Sequence, residues 1–109
     1  MDIIIKKSVE ITENEWHSYT ESFNNVFNKT EQIKDFRQKY LLTIDNNSYH
    51  AFLKENDHII GACTVIPYFY NFFGSKLKTG LAVDVFILEQ FRNDPLALFR
   101  MYKALKKLL

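Results

Sequence analysis

The chain has one cysteine, one tryptophan, two prolines and three glycines among 109 residues. A lone cysteine excludes an internal disulfide. Its setting, Ile59-Ile60-Gly61-Ala62-Cys63-Thr64-Val65-Ile66, reads as a small buried hydrophobe in a reducing compartment rather than a nucleophile. No apolar run approaches the ~18 residues that span a bilayer, and Met1-Asp2 leads into a strand pattern rather than a signal peptide; the expectation is a cytoplasmic soluble protein with no membrane partner. A formal net charge of +1 supplies no global field and disfavours nucleic acid as a partner. His17, His50 and His58 have neither zinc-like spacing nor an accompanying nucleophile motif, so no metal is expected, and each reads as a surface or strand-edge histidine. There is no repeat, low-complexity segment or interdomain linker, and residues 1–109 are expected to form one domain.

What is present favours a folded globule: 47% of the residues are hydrophobic and 16% aromatic. Ile3–Val9 has β-branched character, with Lys6-Lys7 marking an exposed section. Thr12 with Glu15 forms a capping box that opens a helix, whose apolar stripe runs through Trp16, Tyr19, Phe23, Val26 and Phe27. Asn28-Lys29 breaks it. Thr30 is expected to cap a second helix with Ile33, Phe36, Tyr40 and Leu41 on its apolar side, and Asp45-Asn46-Asn47-Ser48 is the clearest loop. The period then changes to that of strands: Tyr49–Lys54, a turn at Glu55–His58, a long run Ile59–Phe73, a turn at Gly74-Ser75, and Lys76–Leu88. Pro67 cannot donate to a ladder and is expected at a bulge or on an edge.

The last third carries the most information. Gly80–Ile87 is an apolar strand, Arg92-Asn93-Asp94-Pro95-Leu96-Ala97 a polar turn, and Leu98–Leu109 an amphipathic helix expected to continue to the final residue. A helix opening just past a strand end presents unpaired N–H groups and the positive end of its dipole, a place for an anion. Asp94 as N-cap and Pro95 at the first helical position make a strong helix start, but a carboxylate there competes with a phosphate for the same N–H groups.

With its elements in this order, the chain resembles the N-terminal two-thirds of the GNAT superfamily of N-acetyltransferases. The matching residues are Ile59-Ile60-Gly61, similar to the start of the family's third strand, and Val83-Asp84-Val85-Phe86-Ile87-Leu88-Glu89-Gln90-Phe91-Arg92, similar to its fourth strand and the turn after it. The implied fold is α/β (α+β), a GNAT-like partial fold: strand, two helices, a three-stranded antiparallel meander and a helix. The family's phosphate loop begins with Arg or Gln and ends with Gly or Ala; Arg92 and Ala97 fit those places, whereas Pro95 stands where the first Gly belongs. Proline adds a ring and removes a donor where glycine would let backbone approach a pyrophosphate.

The resemblance implies acetyl-coenzyme A as cosubstrate and a primary amine, on a small molecule or a protein, as acceptor. Val85, Phe86 and Ile87 would pair with the pantetheine arm, and the turn residues Arg92, Asn93, Asp94, Leu96 and Ala97 would meet the phosphates. Asp84, the one ionisable side chain in the strand-four core, resembles the acidic residue that some relatives place near the acceptor amine; a solvent-facing carboxylate is the alternative. By alternation it would lie opposite Leu81, Val83, Val85 and Ile87. The family's usual general acid, a tyrosine after its fifth strand, has no counterpart here. Tyr102 is read as packing with Leu98, Met101, Leu105 and Leu109. The Tyr68–Phe73 aromatics are read as packing onto the helices, with an acceptor wall or base stacking as alternatives, and Arg100, Lys103, Lys106 and Lys107 as a solvated basic stripe, with attraction of the coenzyme's adenosine phosphates as the alternative.

In the resembling fold a fifth strand lies beside the fourth. Its absence would leave an apolar edge, so the chain is expected to be a fragment or to have its sheet completed by another chain, such as a homo-oligomer. Two functions follow: an acyl-coenzyme A-dependent N-acyltransferase represented by its N-terminal part, inactive in isolation, or a non-catalytic binding or dimerisation module built on the same half-fold.

Overall fold

Ile3, Ile4 and Ile5 put β-branched side chains on both faces of the first strand, β1 (Asp2–Lys7), and a 3-10 turn at Ser8–Glu10 ends it earlier than the sequence pattern suggests. The computed structural model describes residues 1–108. Helix α1 (Glu13–Phe27) starts at the expected capping box: Glu15 N–H donates to Thr12 Oγ1 at 3.2 Å, and Thr12 N–H donates to Glu15 Oε1 at 2.9 Å. Trp16, Tyr19 and Phe23 are buried as the stripe requires, while Phe27 is 38% exposed at its edge. Asn28 closes the helix in the left-handed conformation (φ 52°).

Helix α2 (Ile33–Leu41) is capped by Gln32, not Thr30. The cause is two-sided. Asn24 holds both backbone groups of Glu31 (2.9 and 3.0 Å), keeping the chain extended through that residue, and Asp35 accepts the Gln32 N–H at 2.9 Å. Phe36 and Tyr40 form the buried side of the helix.

Strands β2 (Tyr49–Glu55), β3 (His58–Phe72) and β4 (Ser75–Ile87) form the meander, and β1 joins it to give the antiparallel order β1-β2-β3-β4. Asn56 and Asp57 (φ 50° and 64°) make the first hairpin turn; Phe73 and Gly74 (φ 50° and 81°) make the second, one residue earlier than expected. Pro67 lies beyond the last β2–β3 pair, Tyr49 opposite Val65, so it sits where β3 has a strand on one side only.

α1 and α2 cover one face of the sheet, burying Phe52, Ile59, Ala62 and Phe86. Helix α3 (Ala97–Lys106) covers the other, packing Ala97, Met101 and Leu105 on Ala51, Leu53 and Ile87. It ends at Lys106 rather than at the final residue, and Leu109 lies outside the described residues. The core line of α3 has a spacing of four, which corrects two expectations: Leu98 is 45% and Tyr102 54% exposed. Arg100, Lys103 and Lys106 on α3 and Lys107 at its C-cap are all exposed, Arg100 being paired with Asp94.

The long β3–β4 hairpin runs past the helices, making the molecule 46 Å in its longest dimension. Its aromatics therefore do not pack on them: Tyr68, Phe69, Tyr70, Phe72 and Phe73 are all exposed, with Lys76 over the Phe69 ring. Cys63 is buried, and burial pushes its thiol pKa up.

Candidate active site

The site is set by an interruption in the β3–β4 ladder. Ala62 faces Phe86 and Thr64 faces Val83, so Asp84 and Val85 together stand opposite Cys63 alone. This is a β-bulge, and Asp84 takes the strained left-handed conformation (φ 52°) within it. Simple alternation therefore fails past Val83. Val83 and Phe86, three apart, both pack on the α1–α2 side, whereas Ile87 packs against α3 and Val85 is 41% exposed.

Asp84 turns its carboxylate towards α2. Its Oδ2 accepts from the Tyr40 hydroxyl at 2.5 Å and from Lys39 Nζ at 2.7 Å; its Oδ1 takes no hydrogen bond among the described residues. The side chain is 14% exposed, so neither a buried nor a freely solvated carboxylate describes it. The Tyr40 and Tyr19 hydroxyls share a 2.6 Å bond. Burial raises both phenols far above the ordinary tyrosine range, aided at Tyr40 by the Asp84 carboxylate, so both stay protonated.

His50 overturns the surface reading. It is fully buried under these rings, with Nε2 2.7 Å from Ser8 Oγ and Nδ1 2.9 Å from Thr64 Oγ1. Burial lowers its pKa to about 3, against a small opposing pull from Asp84, and it is neutral. Its partners come from distant segments, so no local signal could have exposed it. His17 and His58 are exposed as expected, and no metal-ligand cluster occurs among the described residues.

On the open side of β4 the chain turns back at Arg92. Leu88 N–H donates to Ile60 O at 2.8 Å, so Leu88 and Phe86 point their backbone groups into the ladder, and antiparallel alternation turns those of Ile87 outward. The Ile87 carbonyl accepts from Arg92 Nε at 2.7 Å, which ties the turn to the strand. The outward amide of Ile87 remains, along with Val85 at the bulge. Between this edge and the start of α3 lies a cleft of about 330 Å³, lined by Val85, Phe86, Ile87, Arg92, Asp94, Pro95 and Leu98. Asn93, Leu96, Ala97 and Asp84 do not line it. A larger groove of about 430 Å³ is lined by Phe99, Tyr102, Lys103, Lys106 and Lys107 and shares no residue with the bulge or the cleft.

The helix start differs from expectation. α3 begins at Ala97 with Leu96 as its cap, and Asp94 governs the turn before it. Its Oδ1 accepts the Leu96 N–H at 2.9 Å, its carbonyl accepts the Ala97 N–H at 3.3 Å, and its carboxylate pairs with Arg100. Proline at 95 leaves no donor there, so the free amides of this helix start are those of Leu98 and Phe99 among the described residues.

At the level of sequence no family model matches the chain, and neither does any curated protein. Solved structures do. ElaA from Escherichia coli superposes with a TM-score of 0.68 at 17% identity, over 98% of this chain and 68% of ElaA. A protein of unknown function from Enterococcus faecalis, described as a probable N-acyltransferase, gives 0.63 at 18% identity, over 98% of this chain and 27% of that one. An aminoglycoside acetyltransferase from an uncultured soil metagenomic sample gives 0.59 at 16% identity, over 99% of this chain and 72% of that one. At these identities the likeness concerns the backbone. From β1 to α3, the chain has a GNAT-like fold of partial length, as its order of elements implied.

Proposed function

We propose that this chain is the N-terminal part of an acyl-coenzyme A-dependent N-acyltransferase that moves an acetyl group to a primary amine. The observation that carries the reading is the cleft between the bulged edge of β4 and the Arg92–Leu98 turn, where outward backbone groups and a helix start converge. Acetyl-coenzyme A would supply the activated acyl group. The Val85 and Ile87 edge offers backbone pairing to an extended amide arm and an N–H to polarise a thioester carbonyl. Asp84, on the α2 side of the same bulge, keeps Oδ1 open to an acceptor ammonium while Lys39 and Tyr40 hold Oδ2. Its part is to bind and orient the amine. The acceptor, a small molecule or a protein, would approach from that side.

The fit is good along the strand and poorer at the phosphates. Arg92 is committed to Ile87 O, and Asp94 puts a carboxylate at the cleft and occupies the Leu96 amide. That observation favours a second reading, a non-catalytic GNAT-like binding or dimerisation module. Isothermal titration of acetyl-coenzyme A separates the two. The transferase reading predicts binding that strengthens in Pro95→Gly, which restores a donor and removes a ring. Absence of binding at millimolar ligand, a free energy weaker than about −4 kcal/mol, in both proteins would leave only the module.

A further inference from the structure

Tyr40 has no step in the chemistry above, yet it is fully buried and reaches from α2 to the strand that lines the cleft. A bulge is not fixed by its own ladder, because its extra residue lacks a partner, and a left-handed Asp is disfavoured against an extended one. Something outside β4 has to select the conformation of Asp84. Two consecutive α2 residues reach its Oδ2, and they differ in rigidity. Lys39 is 45% exposed on a flexible stem. Tyr40 lies parallel to both Trp16 (6.3 Å, 11°) and Phe36 (5.9 Å, 12°), and its hydroxyl also meets that of Tyr19 at 2.6 Å. Its backbone carbonyl is fixed as well, by Ser48 Oγ at 2.7 Å.

We infer that Tyr40 is a positioning residue: through the Asp84 carboxylate it holds the β4 bulge in place, and so sets how Val85–Ile87 face the cleft. Only the last clause rests on the transferase reading; the pinning of the bulge stands apart from it. The arrangement links the helix on one face of the sheet to the cleft at its edge.

Amide hydrogen exchange followed by NMR tests it on this chain. Tyr40→Phe keeps the ring and removes the bond to Asp84. The amides of Phe86 and Leu88 should then exchange about tenfold faster, while those of the hydrogen-bonded β1–β2 pair Ile4–Phe52 stay within about twofold. Lys39→Met should leave both sets within about twofold. Asp84→Asn weakens the same bond from the other end and should reproduce the local pattern. In an Asp84→Gly background, where glycine holds a positive φ without strain, Tyr40→Phe should add almost nothing, a non-additivity that a double-mutant cycle reads directly. Unchanged exchange at Phe86 and Leu88, a uniform rise across the sheet, or additive effects in the double variant would overturn the inference. Acetyl-coenzyme A titrated into the same proteins keeps the two claims apart. No binding to the wild type or to Pro95→Gly defeats the transferase reading and leaves exchange to judge Tyr40. Binding equal in wild type and Tyr40→Phe defeats the claim that Tyr40 shapes the cleft.

Discussion

His50 is the residue with the largest consequence for solution behaviour. Its pKa falls from 6.5 unfolded to about 3 folded, so unfolding takes up a proton below pH 6.5. The stability it contributes is complete above pH 6.5 and is lost as pH falls towards 3, at about 1.4 kcal/mol per unit. The Glu15 pKa is lowered too: burial would raise it, but Lys6, the Thr12 N–H and Lys54 outweigh this and bring it to about 2, so its contribution is lost only below pH 4.5. Urea unfolding should therefore show about 2 kcal/mol less stability at pH 5 than at pH 7, and His50→Gln should flatten that slope. A slope unchanged in His50→Gln would place the proton uptake elsewhere. Gly61 is the other sensitive position. A Cβ there would meet the Phe86 carbonyl oxygen at 3.0 Å and the Ile87 side chain (Cγ1) at 3.1 Å. Gly61→Ala should cost about 1–3 kcal/mol by chemical denaturation; a neutral result would mean that β3 and β4 separate more easily than their register suggests.

Among the elements, the α3 start sets stability against binding. Asp94 caps the turn through Leu96 N–H and pairs with Arg100, while occupying a donor that an anion would use. Asp94→Ala should lower stability by about 1 kcal/mol and, under the transferase reading, tighten acetyl-coenzyme A severalfold. Calorimetry reads both, and loss of affinity would show that Asp94 helps the ligand. This scale also explains what the sequence could reveal. The Thr12–Glu15 cap and the Asn56-Asp57 turn are legible because their partners sit within a few residues. The cap of α2 moves to Gln32 because Asn24, seven residues back on α1, captures Glu31. The bulge at Asp84 depends on pairing with β3 and on Tyr40, 44 residues away, so no alternation pattern within β4 discloses it. Asp94-Pro95 announces a turn and a helix start from sequence alone, but the bond from Leu96 N–H to the Asp94 carboxylate, one turn before the helix, needs the fold.

At the scale of the molecule, β4 is a terminal strand whose outer edge has no partner among the described residues, and the hairpin beyond it exposes Phe69, Tyr70, Phe72, Phe73, Leu77 and Leu81. Such an edge invites pairing. Size-exclusion chromatography with light scattering should show concentration-dependent association that Leu81→Lys weakens; a monodisperse monomer at all concentrations would contradict this. No helix among the described residues is long and apolar enough to cross a membrane. The central claim concerns the Val85–Ile87 end of that same edge, and one measurement addresses it most directly: amide shift mapping as acetyl-coenzyme A is titrated into the isotopically labelled chain. The account predicts saturable changes confined to Val85–Ile87 and Arg92–Phe99, larger in Pro95→Gly. Saturable changes that fall instead on the outer face of α3, or none up to millimolar ligand in either protein, would contradict it.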